Sequence, residues 1–488
     1  MSDVRIVFPY DGYEHIGVGS LAAVALRRGY DVLLLHVDTG DYIRGLRRPG
    51  LRRVRENASA IAALRPDVVA FSLNSFSAGE FMRLAAATRE RGIATLAGGP
   101  HATAEPSLTL EGGGFTGLVC GEAEDVFAEA VEHAAAGSGP VPPWLWTRGH
   151  DATVLPTLPD LNSLPFPEKE RFYRIAPMES RDYKIITSRG CAFRCTFCAG
   201  GSGRSSRVRR RSVDNVLGEL RWAKSRFNPA TVYFLDDNFS LDNGWLTDLL
   251  KAYPREIGLP FHAILHPSCC DAAVAHLLAE GGCFKVRLGV QSLTPRVKRL
   301  IGRCEPNEQV SRAITAARGA GLRVEIDHMV NLPDESLEDA REGISWYNNH
   351  RPDAIKVYWL TPLPGTAWFD EARARGTLSE SGAAAIRRGT GFGPHSYLFY
   401  AGKEFHDRRW LGIHALLVFL PLLPHRAVKF LVRFRTDRLL RIPSFILFVG
   451  IPRLLTIARG GDRVGETHIA RLWRRYTFRS QHSAIGVS

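Results

Sequence analysis

The segment DYKIITSRGCAFRCTFCAG, residues 182–200, runs from an apolar, β-branched stretch straight into a loop with cysteines at 191, 195 and 198. Its first part, DYKIITS (182–188), has the length and composition of a strand. Three thiolates on one loop suit an iron–sulfur cluster. Such clusters are usually held by four, so Cys191, Cys195 and Cys198 leave one iron with an open coordination position. An iron with a free site can bind a small molecule's amino and carboxylate groups and pass it an electron, whereas a closed four-cysteine site only carries electrons or braces the fold. The competing reading is a zinc knuckle, but zinc usually takes four Cys/His ligands in two close pairs. The one other grouping, His262, His266, Cys269 and Cys270, has HxxxHxxCC spacing, which is not a familiar zinc pattern.

Downstream, TVYFLDD (231–237), FHAIL (261–265), FKVRLGV (284–290), LRVEIDHMV (322–330) and AIKVYWL (354–360) alternate with helical stretches, the first near 213–226. Six parallel strands with intervening helices predict a partial (β/α)6 barrel whose functional groups lie at the strand carboxyl ends. Upstream, VRIVFPY (4–10), DVLLLHVD (31–38), DVVAFSL (67–73), IATLAGG (93–99) and FTGLVCG (115–121) are apolar throughout, as strands buried on both faces must be. Their βαβα rhythm predicts a doubly wound parallel sheet of flavodoxin-like type. Ligands of such sheets sit beyond the strand carboxyl ends, here loops 10–19, 72–77, 98–103 and 121–124. Ser72, Gly98 and Gly99 are the candidate contacts, the glycines because they allow close backbone approach to a large flat ligand. The expected organisation is an α/β front domain over 1–135, a Pro/Gly/Trp-rich linker over 136–182, the barrel over 183–375, and a mainly helical C-terminal region over 376–488.

The composition is that of a folded globular protein, with 45% hydrophobic and 23% charged residues. Of the net charge of +13, residues 401–488 supply +11, so any basic-partner argument concerns the tail alone. Two tail stretches, 410–424 and 442–455, are strongly apolar but too short or too interrupted to span a bilayer. With Arg426, Lys429, Arg433, Arg435, Arg438 and Arg441 between them they suit either a peripheral membrane contact or a basic helical cap over the active site. Eight cysteines do not make a disulfide scaffold, and the start lacks a secretory pattern, so the expected compartment is the cytoplasm. A second basic run, Arg204, Arg207, Arg209, Arg210 and Arg211, follows the cysteine loop; with no RNA-binding module present, packing beside that loop is expected rather than nucleic-acid binding.

The CxxxCxxC loop, with Phe197 just before the third cysteine and the first strand of a partial barrel ahead of it, resembles the radical S-adenosylmethionine (SAM) superfamily. The resemblance implies a 4Fe-4S cluster on Cys191, Cys195 and Cys198. TVYFLDDNFSLD is similar to the segment that holds the amino group of SAM, which implies Asp236 and Asp237. LGVQSLTPRVKRLIGR resembles the segment that contacts the SAM ribose, which implies Gln291 and Ser292. VEIDHMVNLPDES looks like the fifth-strand signature, in which Asn331 and Asp334 stand where glycines are usual. TPLPGTAWFDEA resembles a closing Pro-Gly-Thr motif.

The front domain, through AGGPHATAEP and GLVCGEAEDVF, is similar to the cobalamin-binding domain of one large radical SAM subgroup. A nucleotide or flavin in the same crevice is the competing ligand, since fold alone does not fix it. The segment from Asp11 to Gly17 breaks the DxHxxG spacing that supplies an axial histidine, so cobalamin without a protein nitrogen ligand is expected, with His15 as an atypical ligand the alternative, and His101 is read as loop packing. The resemblance implies reductive cleavage of SAM to methionine and a 5′-deoxyadenosyl radical, and an external electron donor of flavodoxin or ferredoxin type. A C-methyltransferase acting on a small, lipophilic or natural-product substrate is the leading expectation. A radical cyclase or rearrangement enzyme is the alternative. A tRNA methylthiotransferase is disfavoured because the front domain has only Cys120, and a non-enzymatic cluster protein would not bind SAM.

Overall fold

The computed structural model describes residues 4–12, 14–37, 51–201, 207–391, 409–439 and 484–485. In the front unit, β1 (Arg5–Tyr10), β2 (Asp31–His36), β3 (Val68–Ser72), β4 (Ala94–Gly98) and β5 (Gly117–Val119) pair in parallel in the order β2-β1-β3-β4-β5. Alternate residues of β1 enter different cores: Ile6, Phe8 and Tyr10 pack with Val18 and Val131, whereas Val7 packs with Leu33, Ile61 and Phe81. Helices therefore cover both faces, and the period-two alternation of a strand explains why the runs read as apolar throughout. The strand order reverses at β1, where such sheets open a ligand crevice.

Residues 136–182 do more than connect. Strand β6 (Leu145–Trp146) adds antiparallel to β5, and the helix Glu170–Ile175 follows. Leu145 is fully buried in the front core, and Lys169 is buried against Glu14 at 2.5 Å. Isolated anchors among Pro and Gly have no periodicity, so composition alone reads the stretch as a spacer.

The second unit starts with β7 (Asp182–Ile185), followed by a two-stranded antiparallel ribbon, β8 (Ser188–Arg189) with β9 (Arg209–Arg210). Strands β10 (Thr231–Phe234), β11 (Phe261–Leu265), β12 (Cys283–Gln291), β13 (Arg323–Val330) and β14 (Ala354–Trp359) complete a six-stranded parallel sheet in the order β7-β10-β11-β12-β13-β14. The helix Val213–Phe227 starts on Ser212, whose side chain accepts from Asn215 N–H, and ends on Asn228 in the left-handed conformation.

The edge strand β14 is covered by the tail helix Arg409–Phe419, which buries Trp410, Ile413, Leu416 and Leu417. The first apolar tail stretch is thus part of the barrel core at edge strand β14, whereas the cap reading places it over the active site. The second, 442–455, and Arg441 lie outside the described residues. No helix among the described residues is long and apolar enough to cross a membrane.

Candidate functional site

The cysteine loop is fixed at both ends to the carboxyl end of β7. At its start, Asp236, buried just beyond β10, accepts from Thr187 N (3.2 Å), Thr187 Oγ1 (2.7 Å) and Ser188 Oγ. At its end, Arg211 N donates to Thr187 O (2.9 Å), and its guanidinium donates to Ile186 O (3.1 Å) and pairs with buried Glu219 at 2.5 Å. A third side is closed by residues 300–305. Thr196 N donates to Ile301 O (3.1 Å), and a side chain at Gly302, where φ is 72°, would meet Arg194 O at 2.6 Å. Phe193 stacks on His266 with centroids 3.7 Å apart. Phe197 packs onto the apolar cluster of Val297, Ile301, Met329 and Leu360.

All three cysteines are free thiols. Burial pushes the Cys191 and Cys195 thiols up; Asp237 and the other two sulfurs add to the rise at Cys191, so the sulfurs share one electrostatic neighbourhood. Arg303 opposes the rise at Cys195, with Nη1 3.8 Å from Sγ. Among the described residues no three His, Cys, Asp or Glu side chains converge closely enough for a single ion. A four-iron cluster takes each thiolate at a different corner, and three free thiols on one loop in one electrostatic neighbourhood are a donor set of that kind. The zinc alternative is set aside by separate commitments: His262 lies 3.3 Å from Asp182, His266 Nδ1 accepts from Ser268 N (3.1 Å), Cys269 Sγ accepts from Asn238 Nδ2 (3.2 Å), and Cys270 Sγ faces Ala313 O.

The two acids after β10 separate in role. Asp236 accepts from Thr187 and Ser188, so its carboxylate positions the start of the loop. Asp237 is exposed: its Oδ2 lies 3.4 Å, and Cys198 Sγ 3.5 Å, from the point where a Cβ on Gly200 would sit. At the end of β12, Ser292 N donates to Val290 O (2.8 Å) around Gln291, whose φ is 66°. Three-residue turns of this hand are rare and strained, and such strain gathers at functional sites. Ser292 is fully buried and its Oγ accepts from Thr294 N (3.2 Å), which commits it to the turn. Asn331 and Asp334 have φ of 58° and 60°. Asn and Asp are the side chains that best tolerate this left-handed region, so the backbone shape survives without the usual glycines.

The carboxyl ends of the front strands face the barrel. Glu14, after β1, bonds to Lys184 of β7 at 3.2 Å; Glu105, after β4, pairs with Arg387 at 2.8 Å; Glu122 and Glu124, after β5, pair with Arg189. A flat ligand beyond the carboxyl ends of the front strands would therefore lie on the side of the sheet that faces the cysteine loop. His15 Nδ1 accepts from Val18 N (3.2 Å) as a helix cap, which leaves Nε2 carrying the proton. Gly99, at φ 92°, has its missing side chain turned toward Leu73, with N and O both 2.8 Å from a Cβ there, so glycine is what lets the β3 and β4 ends pack closely. Ser72 Oγ lies 3.1 Å from the same point, and Gly98 lies one residue before it on β4. His101 is fully buried against Ser75 at 3.1 Å, a packing residue.

Three arginines of the basic run are spent internally, whereas Arg207 is exposed. Arg209 pairs with Glu122, Arg210 lies over the Trp245 ring at 4.3 Å, and Arg211 holds Glu219. Arg204 lies outside the described residues. Sequence reading missed Arg303, whose guanidinium joins Cys195, Glu305 (3.1 Å) and Gly289 O. It also missed Phe193 on His266 and the Glu122–Glu124 pairings, because long-range contacts leave no local pattern.

A B12 binding domain model matches residues 1–131 and a radical SAM superfamily model matches residues 185–346. An uncharacterized methyltransferase of Pyrococcus horikoshii is 27% identical over 339 residues, covering 66% of this chain and 72% of that protein. The cytidylyl-2-hydroxyethylphosphonate methyltransferase of Streptomyces wedmorensis is 24% identical over 418 residues, covering 74% and 78%. The solved structure of the cobalamin-dependent S-adenosylmethionine radical enzyme OxsB with aqua-cobalamin bound shares the fold at a TM-score of 0.64 and 14% identity, covering 97% of this chain and 80% of that one. With two domain models in tandem, the cysteine loop on β7 and the front crevice turned toward it, the chain belongs to the radical SAM superfamily, as an enzyme with a B12-binding domain ahead of the barrel, a 4Fe-4S cluster, SAM and cobalamin.

Proposed function

We propose that this enzyme is a cobalamin-dependent C-methyltransferase that acts on an unactivated carbon of a small organic substrate. The observation that carries the reading is the facing of the two mouths, with Glu122 and Glu124 of the front crevice in ion pairs with Arg189, two residues before Cys191. That geometry gives a methyl carrier and a radical source access to one substrate. When bound, the cofactors supply the electron, the 5′-deoxyadenosyl radical and the methyl group. The chain's own work is placement and exclusion of water. Cys191, Cys195 and Cys198 would hold the cluster, Asp237 would receive the SAM amino group, and Gln291 and the turn at Asn331 would line the nucleoside side. Asp236, Arg211 and Gly302 hold the loop rigid.

The test is product analysis of the anaerobically reconstituted enzyme with SAM, a reductant and candidate substrates. The expected result is one S-adenosylhomocysteine and one 5′-deoxyadenosine per methylated product. Deoxyadenosine alone, with an unmethylated product, would move the assignment to cyclisation or rearrangement.

A lipophilic substrate and a peripheral membrane contact are finer parts of the proposal, and the tail supports them. Phe430, Phe434 and Leu439 are 58%, 61% and 81% exposed, and Arg426, Lys429, Arg433, Arg435 and Arg438 are exposed among them. The one acid of that stretch, Asp437, is buried against Arg341. Each cation near an anionic bilayer contributes about 1 kcal/mol, and apolar side chains add burial. The purified protein is expected to sediment with phosphatidylcholine vesicles containing phosphatidylglycerol and to be released by high salt or by Phe430→Ser with Phe434→Ser. Equal recovery with and without vesicles would remove the membrane from the proposal.

A further inference from the structure

Ribbon β8–β9 joins the two arms from which the cysteine loop hangs, and its ladder is two residue pairs, Ser188 with Arg210 and Arg189 with Arg209. So short a ribbon is at best marginal by itself. It also sets two guanidinium groups directly opposite each other, an arrangement that opens a ribbon rather than closing it. The front domain supplies the missing charge. Glu122 bridges the arms, one carboxylate oxygen on Arg189 Nη1 and the other on Arg209 Nη2, while Glu124 takes Arg189 Nη2 at 2.6 Å. Arg209 Nη1 is further fixed on Pro159 O at 2.8 Å. Both glutamates follow β5 in the loop 121–124, which is tied across the front mouth by Gly121 N donating to Thr103 Oγ1 at 2.9 Å. These groups are about a quarter exposed or less, so water screens them only in part.

We infer that Glu122 and Glu124 are positioning residues for the cluster: the front domain's β5 loop clamps the ribbon shut and so fixes the spacing of Cys191, Cys195 and Cys198. The clamp rests on the assignment of those cysteines as cluster ligands. It makes the cluster's retention depend on the state of the cobalamin crevice, through a loop that belongs to both. A corrinoid that orders loop 121–124 tightens the ribbon; by thermodynamic reciprocity a closed, loaded cysteine loop favours corrinoid binding.

The experiment is the rate of iron loss from the reconstituted full-length protein to a ferrous chelator under anaerobic conditions, with and without hydroxocobalamin, together with hydrogen exchange over residues 186–212. Hydroxocobalamin is expected to slow iron loss from the wild type. E122Q and E124Q are expected to lose iron several-fold faster than the wild type, with faster exchange in that window and little or no response to hydroxocobalamin. E122D, which keeps the charge, should recover part of the wild-type behaviour. Wild-type rates in E122Q and E124Q would overturn the inference. So would a fall in Tm of the apo variants accompanied by loss of hydroxocobalamin binding, since that marks a role in stability of the front domain. A wild type that takes up no iron would sink the cluster assignment itself, and this inference with it.

Discussion

Cys195→Ala is expected to abolish the brown cluster absorbance and bring SAM cleavage down to background, while cobalamin affinity stays close to that of the wild type. The loss is chemical rather than structural. Cys195 is buried, and the cation beside it, Arg303, remains held by Glu305 at 3.1 Å and by Gly289 O once the sulfur is gone. The backbone of the loop keeps Thr196 on Ile301 and Trp368 on Thr196. The front core, built around Phe8, Val18 and Phe127, does not touch the substituted side chain. Two thiolates cannot hold three corners of a cluster, so loading should fail as a whole. Anaerobic absorbance and electron paramagnetic resonance read the cluster, chromatography of methionine and 5′-deoxyadenosine reads the cleavage, and the corrinoid spectrum reads the front domain. Persistent SAM cleavage in this variant would mean that the loop has been misassigned.

What the sequence discloses depends on whether a signal is local. The five front strands declare themselves because each is a short apolar run bounded by helical stretches, and two-face burial leaves polar residues few positions within them. The six barrel strands carry charged residues as well, such as Arg287, Glu325 and Asp327, and are legible as β-branched and aromatic runs between helical stretches. The cysteine loop declares itself by spacing. By contrast Asp236 and Asp237 read alike, an acidic pair after a strand, and only the fold reveals that the first turns inward to Thr187 while the second stays open beside Cys198. Asn331 and Asp334 look like departures from a glycine pattern, yet their positive φ shows the same backbone reached with the next most tolerant side chains. The arginine run looks like a nucleic-acid patch because composition cannot show that Glu122, 87 residues before Arg209, comes back to meet it. The tail divides for a similar reason. Both membrane and cap readings rest on apolar and basic content, and three-dimensional packing assigns burial to Arg409–Phe419 and exposure to Phe430 and Phe434.

That division makes a strong demand on one ion pair. Arg341, on the helix Leu337–His350 behind the barrel, meets Asp437 with Nε at 3.0 Å and Nη2 at 2.7 Å, and both residues are buried. Gly412, on the tail helix, lies so close to the Asp437 backbone that no side chain could stand there. The pair therefore staples the chain at 436–438 over the helix that covers β14. Arg341→Ala leaves the Asp437 carboxylate buried without its bidentate partner, and breaking such a pair typically costs about 3–5 kcal/mol. Against a typical domain stability of roughly 5–15 kcal/mol, that is a large fraction. The expected result is a lower denaturation midpoint for the barrel and early protease cleavage within 409–439, with corrinoid binding by the front domain preserved. Arg341→Met combined with Asp437→Leu should recover much of the loss, because the demand comes from the uncompensated charge and not from the volume. A barrel that unfolds at the wild-type midpoint in Arg341→Ala would mean that the tail is an appendage, and that edge strand β14 is protected by something other than the helix Arg409–Phe419.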